Sequence, residues 1–145
     1  MCIRAATKAD YDELIELWER SVRATHDFLP NQLISELKVS LRNQYLAAVQ
    51  LFCVQKRGED IMGFVGVTDG NIEMLFVHPN YFRKGVGQLL VEFATRKLKA
   101  SSVDVNEQNP QALAFYLALG FVQTGRSEVD AQGNPFPLLH LSLAV

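Results

Sequence analysis

The sequence predicts a mixed α/β (α+β) domain: a central, mostly antiparallel seven-stranded sheet with helices on both faces. Three observations carry that expectation. The N-terminal third holds apolar residues at helical spacing, the middle holds short apolar runs separated by Gly, Asn and Asp turns, and a strand–loop–helix–strand unit follows, whose two strands must run parallel. The resulting order is β-α-α-β-β-β-α-β-α-β-β, read as a single domain over residues 1–145.

A first strand is expected over residues 1–5. Thr7-Lys8-Ala9-Asp10 then resembles a capping box with Asp10 in the place usually held by Glu. Tyr11, Leu14, Ile15, Trp18 and Val22 make the stripe that one helix face buries, and Pro30 closes that element. A second helix is expected over 32–48, with Ile34, Leu37, Leu41 and Tyr45 on one side. Three antiparallel strands follow at 49–55, 61–67 and 72–77, joined by turns at 56–60 and 68–71. The helix over 87–99 ends in Arg96, Lys97 and Lys99, which suit a helix C-terminus. After a short strand at 103–105 and a polar loop, Pro110 opens another helix, and Gly120 is its expected C-cap. Strands at 121–129 and 136–143 form a closing hairpin.

Composition narrows the function classes. The chain has 145 residues, 48% hydrophobic and 21% charged, which suits one self-sufficient core. A net charge of -2 gives no general pull toward nucleic acid or an anionic membrane, so neither is expected as a partner. Cys2 and Cys53 are too few and too far apart for a redox pair, a zinc site or a disulfide framework, and no metal constellation appears. The N-terminus lacks the apolar region of a signal peptide, and no apolar stretch approaches the ~20 residues of a membrane span. A cytoplasmic location is expected.

The most informative segment runs from Ile72 to Leu98. An apolar strand ends at Val77, Pro79 breaks it, and Arg83-Lys84-Gly85-Val86-Gly87-Gln88 opens an amphipathic helix. The first turn of a helix has amides with no intrahelical partner and carries the positive end of the macrodipole, so it is an anion site made of backbone. Gly85 and Gly87 leave those amides uncovered, and Arg83 and Lys84 add charge beside them. A P-loop would need GxxxxGK followed by Ser or Thr, which is absent. A dinucleotide fingerprint would need a small residue at Leu90 and a strand running almost straight into the first glycine. Seven residues intervene here, although Asp104 lies at a suitable distance for a ribose ligand.

Val77-His78-Pro79 with Arg83-Lys84-Gly85-Val86-Gly87, then Asn109-Pro110-Gln111-Ala112 leading to Phe115-Tyr116 and Leu119-Gly120-Phe121, resembles the acyl-CoA-binding core of the GNAT superfamily of N-acetyltransferases. The segments 24–29, 105–109, 125–130 and 135–139 are further similar to its small bacterial YjaB-type branch. One departure stands out. The family pattern Q/R-x-x-G-x-G/A places Gln or Arg three residues before the first glycine, and here that residue is Phe82, whose ring cannot donate to pyrophosphate. Arg83 is one position away and can take over part of that contact.

The resemblance implies direct acetyl transfer from acetyl-CoA, as co-substrate, to a primary amine of a small molecule or peptide. Such a reaction needs a neutral amine, a stabilised carbonyl oxygen and a proton for the leaving thiolate. Tyr116 is the expected general acid. The backbone of Phe76 and Val77, where the strand is expected to bulge and splay, is the expected carbonyl contact, with Asn109, Ala112 and Phe115 along the CoA arm. Asn109 is equally a natural helix-cap residue. Glu73 is the expected base, with His26, His140, Glu128 or a water chain as alternatives. Trp18, His26, Asp27, Phe28 and Glu128 are expected around the acceptor, with Arg23, Asp130 and Phe136 as further pocket candidates. The rival reading is a noncatalytic acyl-CoA sensor or interaction module. Monomer and homodimer are both compatible with the chain.

Overall fold

The computed structural model describes residues 2–56 and 58–143. Met1, at the head of the first expected strand, and Arg57, in the expected 56–60 turn, lie outside them. Among the described residues seven strands form one sheet in the order β1-β2-β3-β4-β5-β7-β6, as expected in class and element order. In chain order the elements are β1 (Cys2–Ala5), α1 (Tyr11–Thr25), α2 (Asn31–Ser40), β2 (Gln50–Gln55), β3 (Ile61–Thr68), β4 (Asn71–Val77), α3 (Val86–Lys97), β5 (Ser102–Asn106), α4 (Pro110–Ala118), β6 (Phe121–Ser127) and β7 (Leu138–Leu143). β4 and β5 are parallel, and the other neighbours are antiparallel. β7 inserts between β5 and β6, so the closing hairpin also completes the sheet.

β3 is buried on both faces, and its side chains enter two cores, with the alternation interrupted near Ile61 where the register with β2 shifts. Val65 and Val67 join Val86, Leu90 and Ala94 of α3 on one side. Ile61 and Phe64 join Leu14, Trp18 and Val22 of α1 on the other, with Ile34 of α2. Each such side chain contributes about 1.5–3 kcal/mol on full burial. Gly63 lets α3 approach the sheet. A Cβ there would stand 3.0 Å from Val86 Cγ1 and 3.0 Å from the Phe76 carbonyl oxygen. The start of α3 is therefore seated directly on the ends of β3 and β4.

Several boundaries differ from the sequence expectation. The second helix keeps α-geometry only to Ser40, then widens to a π-turn over Leu41–Tyr45 and tightens to a 3-10 turn over Leu46–Ala48. Leu41 and Leu46 are both buried, and the change of pitch brings both onto the core face where a uniform 3.6-residue period would separate them. α3 begins at Val86 rather than Gly87, because Gly85 is its N-cap, and ends at Lys97 rather than residue 99. β6 stops at Ser127 and β7 starts at Leu138. The register break in β4 is not at Phe76 and Val77, which pair regularly with Phe64 and Gly63. It falls at Glu73, where Gly66 pairs with Met74 and Val67 with Ile72.

The entry to α1 is fastened electrostatically. Arg4 on β1 donates from Nη1 and Nη2 to the two oxygens of Asp10, each at 2.9 Å, and Thr7 N–H donates to Asp10 Oδ2 at 2.8 Å. Those bonds, the guanidinium first, hold the Asp10 carboxyl down to about 2. A carboxyl lowered by folding stabilises the fold above its ordinary range and ceases to do so as it is protonated. Asp10→Asn should therefore cost about 1–2 kcal/mol at pH 7 in denaturant unfolding. The gap between variant and wild type should close as pH falls from about 4 toward about 2, and a gap unchanged at the lower pH would contradict this account of Asp10.

Candidate active site

β4 and β5 pair through only two residue pairs, Asn71 with Ser102 and Ile72 with Val103. Their start is pinned: Ser102 Oγ donates to Asn71 Oδ1 at 2.8 Å, and Ser101 N–H donates to the Gly70 carbonyl at 2.8 Å. Beyond Ile72 the strands part, and a cavity of about 660 Å³ lies between them. That volume suits the arm of a small-molecule ligand. From Glu73 to Val77, the edge of β4 facing β5 has no ladder partner among the described residues, so peptide groups there are free to meet a ligand. The register break at Glu73 coincides with the point where the strands diverge.

The β4–α3 loop closes one end. Phe82 at φ -60°, ψ 144° is followed by Arg83 at φ 61°, the change of φ sign found at the centre of a type II turn, and Gly85 follows at φ 83°. Arg83 holds a left-handed conformation that glycine would adopt without strain. Gly85 has no side chain with which to cap α3, and the first turn carries no acidic residue, unlike α1 with Asp12 and Glu13. The first-turn amides of Val86, Gly87 and Gln88 are thus left for an anion. A Cβ on Gly85 would meet nothing within 4 Å, which leaves space above the helix mouth. Gly87 has a different duty: a Cβ there would stand 3.3 Å from the Phe115 ring.

α4 supplies the opposite wall. Asn109 is buried, and its Oδ1 accepts from Ala112 N–H at 3.2 Å, so the helix-cap reading is realised and the amide nitrogen of its side chain remains for other contacts. Tyr116 is 5% exposed and lines the cavity. Its ring packs edge-on against Phe115 and Phe121 at centroid separations of 5.0 and 5.4 Å. Among the described residues no buried side-chain oxygen or nitrogen lacks a partner, and no described bond occupies the Tyr116 hydroxyl, so its tip opens onto the cavity. Burial pushes this phenol up from its ordinary value, which keeps it protonated.

The end of α1 also contributes to the cavity lining, with Ser21, Thr25 and His26. Thr25 Oγ1 donates to the Ser21 carbonyl at 2.8 Å, which uses its one hydrogen, so its 2.7 Å contact with His26 Nδ1 makes that nitrogen the donor. Burial lowers the His26 pKa, and the neutral ring keeps a lone pair on Nε2. Glu73 is exposed and borders the same cavity, as does Asp104 of β5.

Of the residues singled out in the sequence, Glu73, Phe76, Val77, Phe82, Arg83, Gly87, Asn109, Ala112, Phe115, Tyr116 and His26 are brought together on this cavity. Others are placed elsewhere. Trp18 is a core residue, 5% exposed and edge-on to Phe76. Val86 is buried beneath α3, with only its amide at the helix mouth. Lys84 lies over the Tyr81 ring at 5.9 Å, and Gln88 bonds Glu92. Asp27 and Phe28 stand outside the lining, with Phe28 between the rings of His26 and Phe136. Glu128 is exposed, 4.0 Å from Arg126, and does not reach the cavity. Ser21, Thr25, Asn106 and Asp104 complete the lining without belonging to the acyl-site residues expected from sequence. The sequence signal for Asp104 is its place between Val103 and Val105, which alternation turns away from the core.

Comparison with known proteins agrees with this geometry. Residues 21–138 match the family described as an acetyltransferase (GNAT) domain. The chain is 40% identical over 139 residues to the peptidyl-lysine N-acetyltransferase YjaB of Salmonella typhimurium, covering 96% of this chain and 95% of that protein. The solution structure of apo-form YjaB from Escherichia coli superposes with a TM-score of 0.87 at 40% identity, covering 99% of this chain and 97% of the other. The PaiA N-acetyltransferase of Thermoplasma acidophilum, solved in complex with coenzyme A, shares the fold at a TM-score of 0.71 and 19% identity, over 96% of each chain. The splayed strands and uncapped glycine helix thus lie within a known framework: this chain belongs to the GNAT acetyltransferase family and is an enzyme of the acyltransferase class rather than a noncatalytic sensor.

Proposed function

We propose that this N-acetyltransferase draws on acetyl-CoA and acetylates the side-chain amine of lysine in a peptide or protein, with Tyr116 as general acid. The observation that carries this reading is the meeting, on one cavity, of a buried protonated phenol and an uncapped, glycine-opened helix N-terminus. Relatives named as peptidyl-lysine N-acetyltransferases support the acceptor class. Acetyl-CoA, when bound, supplies an acetyl group already activated as a thioester.

The residues present suit that co-substrate. The amides of Val86, Gly87 and Gln88, with Arg83 and Lys84 nearby, would hold its diphosphate. The free edge of β4 at Phe76 and Val77 would hydrogen-bond the amide-bearing arm and the carbonyl, and Asn109, Ala112 and Phe115 would flank it. Phe82 contributes contact but no hydrogen bond, so the anion is held chiefly by main chain.

The Tyr116 hydroxyl keeps its proton through neutral pH and donates it toward the departing sulfur. The burial that secures that proton also makes the phenol a weaker acid, so it acts late, on a sulfur that has already gained charge. On the acceptor side, Glu73 receives the amine's proton and, being exposed, passes it to water. Neutral His26 presents Nε2 as a hydrogen-bond acceptor that helps to orient the incoming amine.

With acetyl-CoA and a peptide bearing a single lysine, measured by thiol release and peptide mass, Tyr116→Phe should lower kcat about 100-fold or more and leave coenzyme A affinity within about threefold. Equal turnover would remove Tyr116 from the acid role, and no acetylated lysine with the wild type would remove the acceptor. Restoring the family's donor by Phe82→Arg should tighten coenzyme A binding by titration calorimetry about 10- to 150-fold, the equivalent of a charge-assisted hydrogen bond of about 1.5–3 kcal/mol. His26 should also leave a mark on stability. Because folding lowers its pKa, the unfolded chain takes the proton first as pH falls below about 6.5, which favours unfolding. Wild type should therefore lose more stability between pH 7 and pH 5 than His26→Gln, and identical slopes would contradict the buried neutral imidazole.

A further inference from the structure

Three side chains form a chain of hydrogen bonds across the far half of the sheet. Asp104 on β5 stands opposite His140 on β7, and Gly125 of β6 stands on the other side of His140, with Ser127 two residues beyond. Val103, Val105, Leu139 and Leu141 are buried in the core that α3 and α4 cover, so alternation turns Asp104 and His140 to the opposite face. His140 Nδ1 lies 2.6 Å from Asp104 Oδ1, and His140 Nε2 lies 2.7 Å from the Ser127 hydroxyl.

The chemistry of the atoms assigns the protons. A carboxylate only accepts, so Nδ1 carries hydrogen toward Asp104, and the Nε2 of a neutral ring is then a lone pair that accepts from Ser127 O–H. Hydroxyl donor, imidazole acceptor and orienting carboxylate are the three roles of a nucleophilic triad, which is defined by geometry and not by order along the chain. The imidazole is also approachable. The His140 and Asp104 side chains are 36% and 44% exposed, and Gly125 puts no side chain beside the ring, where a Cβ would stand 3.4 Å from His140 Cδ2.

We infer that Ser127, His140 and Asp104 form a second acyl-transfer centre, which meets the Tyr116 cavity only at Asp104 and uses Ser127 rather than Tyr116 as its reacting group, and that it hydrolyses small aryl esters through an acyl-serine. Ser127 Oγ bonds to the ester carbonyl carbon as its proton passes to His140 Nε2. The bond to the aryl oxygen breaks, and the leaving phenolate takes that proton. Water then attacks the acyl carbon, gives its proton to the same nitrogen, and releases the carboxylic acid as Ser127 regains its hydrogen. Aryl esters are the indicated class because a phenolate departs readily near neutral pH and makes the least demand on oxyanion stabilisation.

The test uses the full chain without coenzyme A. A fluorophosphonate ester should add one phosphonyl group to Ser127, located by peptide mass, and p-nitrophenyl acetate should give an initial burst of p-nitrophenolate. Ser127→Ala and His140→Ala should each lower steady-state ester turnover at least about tenfold, with unfolding temperature as the check on folding. Labelling of wild-type Ser127 needs no variant, so it decides the matter even where His140→Ala folds poorly. Absence of label on Ser127, or Ser127→Ala turning over at the wild-type rate, would overturn the inference. Neither result depends on whether the Tyr116 site acetylates lysine.

Discussion

Everything at the Tyr116 site depends on the early end of one strand pairing. Had β4 and β5 continued in register beyond Ile72 and Val103, their peptide groups would be consumed by the ladder and their side chains would close the gap. Instead the pair is anchored at one end by Asn71, Gly70 and Ser102 and allowed to open at the other. Among the described residues, the open end leaves the backbone donors and acceptors on that edge of β4 without a ladder partner on β5. Such groups are costly when buried dry, and a ligand with amides of its own relieves that cost. The cavity is therefore a consequence of unfinished secondary structure.

The glycines around this opening divide the work. Gly63 brings α3 down onto the sheet, which places the helix mouth at the end of β4. Gly85 makes the left-handed turn into that helix and leaves space above it, while Gly87 lets Phe115 pack across the first turn. Only Gly85 is tied to anion access in the sense expected from sequence. Gly87 serves the contact between α3 and α4, and so sets the distance between the helix mouth and the wall that carries Tyr116.

Local chemistry was well expressed in the sequence, and non-local chemistry was not. The stripe Tyr11, Leu14, Ile15, Trp18, Val22 specified α1, and the turn residues specified the meander, because both depend on neighbours within a few positions. The π-turn after Ser40 was hidden because Leu41 and Tyr45 also fit a regular helix. The break at Glu73 was hidden because register belongs to a pair of strands, and β4 alone does not reveal which Gly66 neighbour it will take. Trp18 illustrates a different limit: an aromatic near the acceptor side looks the same in sequence whether it borders a ligand or packs on Phe76. Asp104, His140 and Ser127 meet only because β7 inserts between β5 and β6, a topological fact with no local signature.

The distribution of charge along the cavity gives the bound ligand a direction. The positive end of α3 and Arg83 sit beyond the end of β4, whereas Glu73 lies near its start, four residues and about 13 Å of strand away. An anionic group at the helix mouth and a cationic group beside Glu73 and Asp104 are each stabilised where they stand, and each would be destabilised by exchanging places. Between the two ends the lining from β4 is apolar, with Leu75, Phe76 and Val77, so little competes electrostatically with that orientation. A long molecule with phosphates at one end and a reacting group at the other would thus be laid along β4 in one sense only. An incoming ammonium would be drawn to the opposite mouth, and Tyr116 on the α4 wall lines the space between them.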